Sequence, residues 1–179
     1  MNVEKHLRVL AFRSELGWIA AAMHKKILVR LTFGHKTPRA SVCSLLQTLA
    51  EPVEKSTEFE NELIARLQAF AAGEPEDLID VKLDVGGMTP FQRRVLSNCR
   101  KIPFGATITY AQLAAKSGST NAARAVGNVM ASNRFPLIVP CHRVVATGSL
   151  GGYSSPNGLE MKRRLLAREG SLARLANKK

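Results

Sequence analysis

"TYAQLAAKSGSTNAARAVGNVMASN", residues 109–133, holds two short helical patterns separated by a tight turn containing glycine. Thr109 is placed to cap the first helix, and Gln112, three residues on, completes a capping box. Gly118 stops that helix, and Ser119 or Thr120 opens a second that runs to about Ser132. Two short helices joined this way form a helix-turn-helix, whose second helix enters a groove of DNA. The second helix is rich in small residues, Ala122, Ala123, Ala125, Gly127 and Ala131, with one long cation, Arg124, near its start. Lack of bulk suits close approach to a nucleic-acid backbone. It suits close packing against another helix equally well, so this helix by itself leaves both readings open.

Downstream lies "LIVPCHRVVATGSLGGY", residues 137–153. Cys141 and His142 are adjacent, after an apolar approach and before a glycine-rich turn. A free thiol titrates near 8.5, and a histidine in basic surroundings increases the thiolate fraction. Neighbours on an extended strand point to opposite faces, so a proton relay between the two needs a bridging water. A structural cysteine beside a histidine is the commoner outcome of such a pair. Metal binding fits poorly: there is no CxxC, and His24, His35 and Cys43 lack a fourth nearby partner. No metal and no cofactor are expected.

Upstream, Thr89 caps a helix with Pro90 at its first position, "PFQRRVLSNCRKI". Phe91, Val95 and Ile102 form its apolar stripe, and Cys99 reads as packing. "GGMTP", residues 86–90, is a linker, which sets two domains, 1–86 and 87–179. The first reads as a small α/β unit. Three short strands, at 7–14, 17–24 and 26–34, form an antiparallel meander punctuated by Gly17 and Gly34. Helices follow in "SVCSLLQTLA" and "STEFENELIARLQAFAAG". In the second, Ser56 or Thr57 is the cap, Phe59, Leu63, Leu67 and Phe70 share a face, and Gly73 is the stop. Residues 77–85 read as one further strand.

Charge separates the halves. Residues 1–86 carry 11 Lys and Arg against 12 Asp and Glu, a net of −1; residues 87–179 carry 15 against 2, a net of +13, which accounts for the overall +12. A one-sided basic field of that size points to a polyanion, most simply nucleic acid; the alternative is a solvated basic surface. No apolar run reaches the roughly 18 residues of a membrane helix, and the charged N-terminal stretch leaves no secretory h-region. Three widely spaced cysteines form no disulfide framework, which fits a reducing cytoplasm or nucleus.

"PCHRV" at 140–144, preceded by "AARAVGNVMASN" and followed by "GGYS" and "LLAREG", closely resembles the O6-alkylguanine-DNA alkyltransferases, single-turnover repair proteins that move an alkyl group from guanine O6 to their own cysteine. The resemblance is strong over residues 89–170 and weaker over the first half, in "GWIAAA", "ILVRLTFG" and "FAAGE". It implies an α/β (α+β) fold: a small N-terminal antiparallel sheet with helices, ribonuclease H-like, and a mostly helical, winged-helix-like C-terminal domain. By resemblance Cys141 is the alkyl acceptor, His142 its base through a water, and Glu169 the group that orients the histidine. Asn133 braces the turn between recognition helix and active site. Arg124 fills the stack where the damaged base has left, and Tyr110 donates to the flipped guanine and rotates its 3′ phosphate. Ala123, Gly127 and Ala131 lie along the DNA. Pro136, Tyr153 and Met130 wall the base, Ser154 offers a hydrogen bond near O6, and the carbonyls of Cys141 and Val144 accept from the guanine amino group. The implied partner is double-stranded DNA carrying O6-alkylguanine, bound by a monomer with no membrane association. The sequence leaves alkyl-size range and O4-alkylthymine open.

Two departures stand out. "YSSPNGLE" is one residue longer than the family's usual loop, beside the pocket, and the positions that hold zinc in some relatives are not matched. Two other classes compete: a damage sensor or helix-turn-helix DNA-binding protein without chemistry, and a cysteine hydrolase. In sensors of that kind the acceptor cysteine is replaced, whereas Cys141 is present. A hydrolase lacks an evident oxyanion site and leaves the basic half unexplained.

Overall fold

The computed structural model describes residues 7–46 and 57–176. Together they form an α+β chain of two compact units, the described residues up to 84 with 134–136, and residues 85–133 with the described residues from 137 on.

In the first unit, β1 (Arg8–Ser14), β2 (Gly17–His24) and β3 (Ile27–His35) make an antiparallel meander in that order. Its register pairs Ala11 with Ala20 and Ala21 with Leu31. The first turn is set chemically: the Ser14 hydroxyl donates to Gly17 O at 2.7 Å and accepts from Leu16 N at 3.2 Å. Gly17 has φ +96°, and a Cβ there would lie 2.8 Å from His35 O, so a side chain is excluded twice over. β2 is the central strand, and Ile19 to Met23 are fully buried. Residues of alternate parity, Val9, Ala20 and Ala22, pack against Val42 and Leu45 of α1 (Pro38–Leu46). α2 (Glu58–Ala72) packs along β1. Thr57 caps it in a full capping box with Glu60, and Gly73 ends it in the left-handed conformation. Leu63, Leu67 and Phe70 are buried as the periodicity requires, but Phe59 is only half-buried. Glu60 takes the inner position instead, because its carboxylate serves both the cap and Arg8 Nε at 2.7 Å. Ser56 and the C-terminal part of "SVCSLLQTLA" lie outside the described residues.

Residues 77–85 do not form the expected strand. They make one parallel bridge, Leu28 with Leu83, closed by Leu28 N to Lys82 O and Asp84 N to Leu28 O, both 2.8 Å. Local side-chain bonds win over strand pairing: Asp77 Oδ1 accepts from Ile79 N at 2.9 Å, and Arg66 draws in Glu76 and Asp80 at 2.8 and 2.7 Å.

The second unit opens with α3 (Pro90–Arg100), where Thr89 and Gln92 form a capping box ahead of Pro90. Its buried stripe is Val95, Leu96 and Cys99. β4 (Ile108–Thr109) leads directly into α4 (Tyr110–Lys116), again with a capping box, between Thr109 and Gln112. α3 closes the far end of α4: Arg94 Nε donates to Ser117 O and Asn98 Nδ2 to Lys116 O, at 3.1 and 2.9 Å. α5 spans Ala123–Ala131. It begins later than Ser119 or Thr120, because those residues are used by the turn: Ser119 N donates to Ala114 O and Ala122 N to Ser119 O. After α5 the chain passes through a 3-10 turn, Cys141–Arg143, into β5 (Val144–Val145), which pairs in parallel with β4. α6 (Gly158–Arg168) packs on that turn and on α7 (Ser171–Ala176). Among the described residues no helix is long and apolar enough to cross a membrane.

Candidate active site

Leu137, Ile138 and Val139 are buried, so the chain delivers Cys141 from inside the core. Leu137 sits at φ +72°, a left-handed conformation that costs a non-glycine residue about 1–3 kcal/mol. Cys141 N bonds to Val139 O at 2.7 Å and Arg143 N to Pro140 O at 2.9 Å, which curls Cys141–Arg143 into its turn. This changes the geometry expected from the sequence, because on a 3-10 turn adjacent side chains diverge by a third of a turn rather than facing oppositely. Cys141 faces a recess of about 90 Å³ lined by Tyr110, Gly127, Met130, Ala131, Gly152, Tyr153 and Ser154. His142 is fully buried and turns toward Glu169.

Glu169 is the C-cap of α6. Its carboxylate takes His142 Nε2 at 2.8 Å and the Arg143 guanidinium through Nε at 3.0 Å and Nη2 at 2.8 Å. Arg143 Nη1 also donates to Ile102 O at 2.7 Å. Burial pushes the Glu169 carboxyl up, but the bonds from His142 and Arg143 outweigh it and hold the pKa at about 2. Burial lowers the His142 imidazole below its ordinary 6.5, against the pull of Glu169. At neutral pH this is a neutral imidazole backed by a fixed anion, the arrangement of a base that passes on a proton.

Burial raises the Cys141 thiol, and the Asn133 bond and the Lys162 charge oppose that rise. Asn133 Nδ2 donates to Val139 O at 2.9 Å and to Cys141 Sγ at 3.3 Å, so it ties the exit of α5 to the sulfur. The Tyr153 hydroxyl is buried and feels Cys141; burial holds it well above its ordinary pKa, and burial raises Tyr110 too. Both phenols therefore stay protonated, as donors.

Around this recess lies an open groove lined by Thr109, Tyr110, Ala111, Ala123, Arg124, Gly127, Asn128, Ala146 and Thr147. Arg124 is exposed at the second position of α5. The other expected site residues fall elsewhere. Pro136 is half-buried and groups with the first unit. Val144 is buried behind the recess, and its carbonyl accepts from Lys162 Nζ at 2.7 Å. The Cys141 carbonyl accepts from Val144 N. Each carbonyl keeps a second lone pair.

Two residues of the site escaped the sequence reading, Arg143 and Lys162. Arg143 was in view inside "PCHRV". Lys162 could have been found from its register: it shares the buried stripe of α6 with Met161, Leu165 and Leu166, where a lysine has no business unless something accepts its charge.

The family profile described as "6-O-methylguanine DNA methyltransferase, DNA binding domain" matches residues 90–171. The chain is 46% identical over 120 residues to the methylated-DNA–protein-cysteine methyltransferase of Methanosarcina acetivorans, covering 65% of this chain and 73% of that one. It is 40% identical over 109 residues to the protein of the same name from Methanothermobacter thermautotrophicus, where the match covers 60% of each. Its fold superposes on Mycobacterium tuberculosis OGT, solved in complex with DNA, with a TM-score of 0.68 and 34% identity over 93% of this chain and 94% of that one. With its cysteine, buried histidine–glutamate pair and flanking helices set as described, this chain belongs to the methylated-DNA–protein-cysteine methyltransferase family.

Proposed function

We propose that the protein repairs DNA by moving an alkyl group from guanine O6 to Cys141, once and irreversibly. One observation carries this reading: a thiol at the floor of an open recess, with the fully buried Glu169–His142 pair immediately behind it and α5 beside it.

The target atom lies inside the duplex, so the base must be flipped out, at a cost of roughly a few kcal/mol. The pair α4 and α5 acts as a helix-turn-helix. The small residues Ala123, Gly127 and Ala131 allow the backbone to approach closely, and Arg124 fills the space the base vacates. Phosphate contacts position the duplex without reading sequence. In the recess the thiol proton passes through a water to His142, whose imidazolium is supported by the Glu169 anion. The sulfur bonds to the alkyl carbon as the carbon–O6 bond breaks. Charge developing on the guanine is met by the Tyr110 hydroxyl. The product is a thioether, and no second nucleophile removes it. The protein acts as a monomer without a cofactor, in the cytoplasm, or in the nucleus where a cell has one.

The test is direct: incubate the protein with duplex DNA containing O6-methylguanine and weigh it. One added methyl, mapped to Cys141 and absent from Cys141→Ala, is the expected result. An unchanged mass with intact DNA binding would overturn the reading in favour of a damage sensor.

A further inference from the structure

Lys162 presents the least ordinary chemistry left in the second unit. Its side chain is fully buried, and among the described residues no carboxylate is paired with it. Its ammonium instead donates to three backbone carbonyls, Val144 O at 2.7 Å, Leu150 O at 2.5 Å and Gly152 O at 3.1 Å. The same group lies 6.0 Å from the Tyr110 ring centroid and 5.9 Å from that of Tyr153, so two aromatic faces complete its surroundings. An ammonium has three donors, and here each has one acceptor.

The three carbonyls are not scattered. Val144 enters the loop 145–151 and Gly152 leaves it, with Leu150 just inside the exit. Across the loop itself the ties are slight, a bridge between Ala146 and Ser149 and a 3.4 Å contact from Gly151 N to Ser149 Oγ. One nitrogen on a rigid helix therefore gathers both ends of the segment. That segment leads into Gly152, which lines the recess, and carries Gly151, whose missing Cβ would come within 2.9 Å of the Tyr110 ring. The position of the recess wall relative to Tyr110 is set by Lys162 together with the Tyr110 hydroxyl, which donates to Gly152 O at 3.5 Å.

We propose that Lys162 is a positioning residue: it staples the loop 145–151 shut so that Gly152, Tyr153 and the Val144 carbonyl stand where a flipped alkylguanine meets them. This rests on the alkyl-transfer reading above. Lys162 touches neither the alkyl group nor the sulfur; its charge acts on the Cys141 thiol only from a distance, and its larger effect belongs to the guanine.

That distinction supplies the test. The full-length parent, Lys162→Met and Lys162→Arg are compared in three measurements. The first is single-turnover transfer from O6-methylguanine duplex and from free O6-benzylguanine. The second is the affinity for undamaged duplex. The third is carboxamidomethylation of Cys141 by iodoacetamide, followed by peptide mass. Lys162→Met removes the donors and the charge. Transfer from both guanine substrates should fall at least tenfold, exceeding by at least fivefold any loss with iodoacetamide and any loss of duplex affinity, which the loop shares in because Ala146 and Thr147 line the groove. Lys162→Arg keeps the charge, but its planar fork cannot set three donors at one point. Its iodoacetamide rate should match the parent and its transfer should still fall severalfold; if Lys162→Met does not fold, this variant decides alone. Equal losses with iodoacetamide and guanine would place the effect on the sulfur and overturn the proposal. So would parent-like transfer by Lys162→Arg. A parent that never acquires the methyl group would instead sink the alkyl-transfer reading, and this proposal with it.

Discussion

Glu169 is asked to stay ionised while buried, and the bonds from His142 and Arg143 make that possible. The pair has a measurable consequence in acid. The folded pKa of Glu169 is held at about 2, below its ordinary 4.5, so the ionised carboxylate stabilises the fold above pH 4.5, and this contribution is lost as pH falls toward 2. His142 acts in the same direction: its folded pKa lies below 6.5, so under pH 6.5 the unfolded chain takes up the proton first. Urea midpoints between pH 7 and pH 3 should therefore fall steadily. Glu169→Gln should be less stable than the parent at pH 7, and the gap should narrow toward pH 3. A gap independent of pH would mean that the carboxylate carries no net stabilising charge. The same variant should transfer alkyl groups more slowly by up to about 10²–10⁴-fold, the usual worth of the general base His142 that Glu169 supports. It leaves the imidazolium without its anion.

At the scale of elements, α4 and α5 are built unequally. α4 has a reciprocal capping box, and Thr109→Ala should cost about 1 kcal/mol by urea denaturation. A change under a few tenths would mean that β4 pairing, not the cap, sets the start of α4. α5 has no side-chain cap, and its first turn carries Arg124 into the open groove. Flipping is needed only when guanine is in a duplex. Arg124→Ala should slow repair of duplex O6-methylguanine by roughly tenfold or more, since each 1.4 kcal/mol of lost compensation is a factor of ten. Reaction with free O6-benzylguanine should stay within about twofold. Equal slowing of both substrates would show that Arg124 serves the fold.

For the whole molecule, the asymmetric charge and the packed cysteine each make a statement. Each neutralised phosphate contributes a slope of about −0.9 in log affinity against log salt, so several contacts imply about −3 or steeper. A flat response in fluorescence anisotropy would mean that the positive charge of the second half is only solvated surface. Alkylation should loosen the used protein. Cys141 is tied to Asn133 at 3.3 Å and is 8% exposed, so an added group breaks that bond and crowds its neighbours. Overpacking typically costs about 1–3 kcal/mol. Thermal midpoints should fall from free to methylated to benzylated protein, and DNA should be released more readily. Rising midpoints along that series would indicate a recess that shelters its product.

What sequence alone determined follows from short-range chemistry. The capping box of α4, the caps of α2 and α3, the meander with its glycine turn and the Cys141–His142 motif are all encoded in short stretches, where propensity and local hydrogen bonds decide. Residues 77–85 read as a strand but form none, for the converse reason: Glu76, Asp77 and Asp80 are taken up by Arg66 and by the backbone of Ile79. The start of α5 slipped because the turn before it consumed the residues that would have capped it. Only the tertiary structure decided the environment of the site. That Arg143 shares Glu169 with His142, and that Lys162 gathers three carbonyls, depend on groups 10 to 27 residues apart. Helical periodicity shows which face is buried. It cannot show which acceptors wait there for a charge.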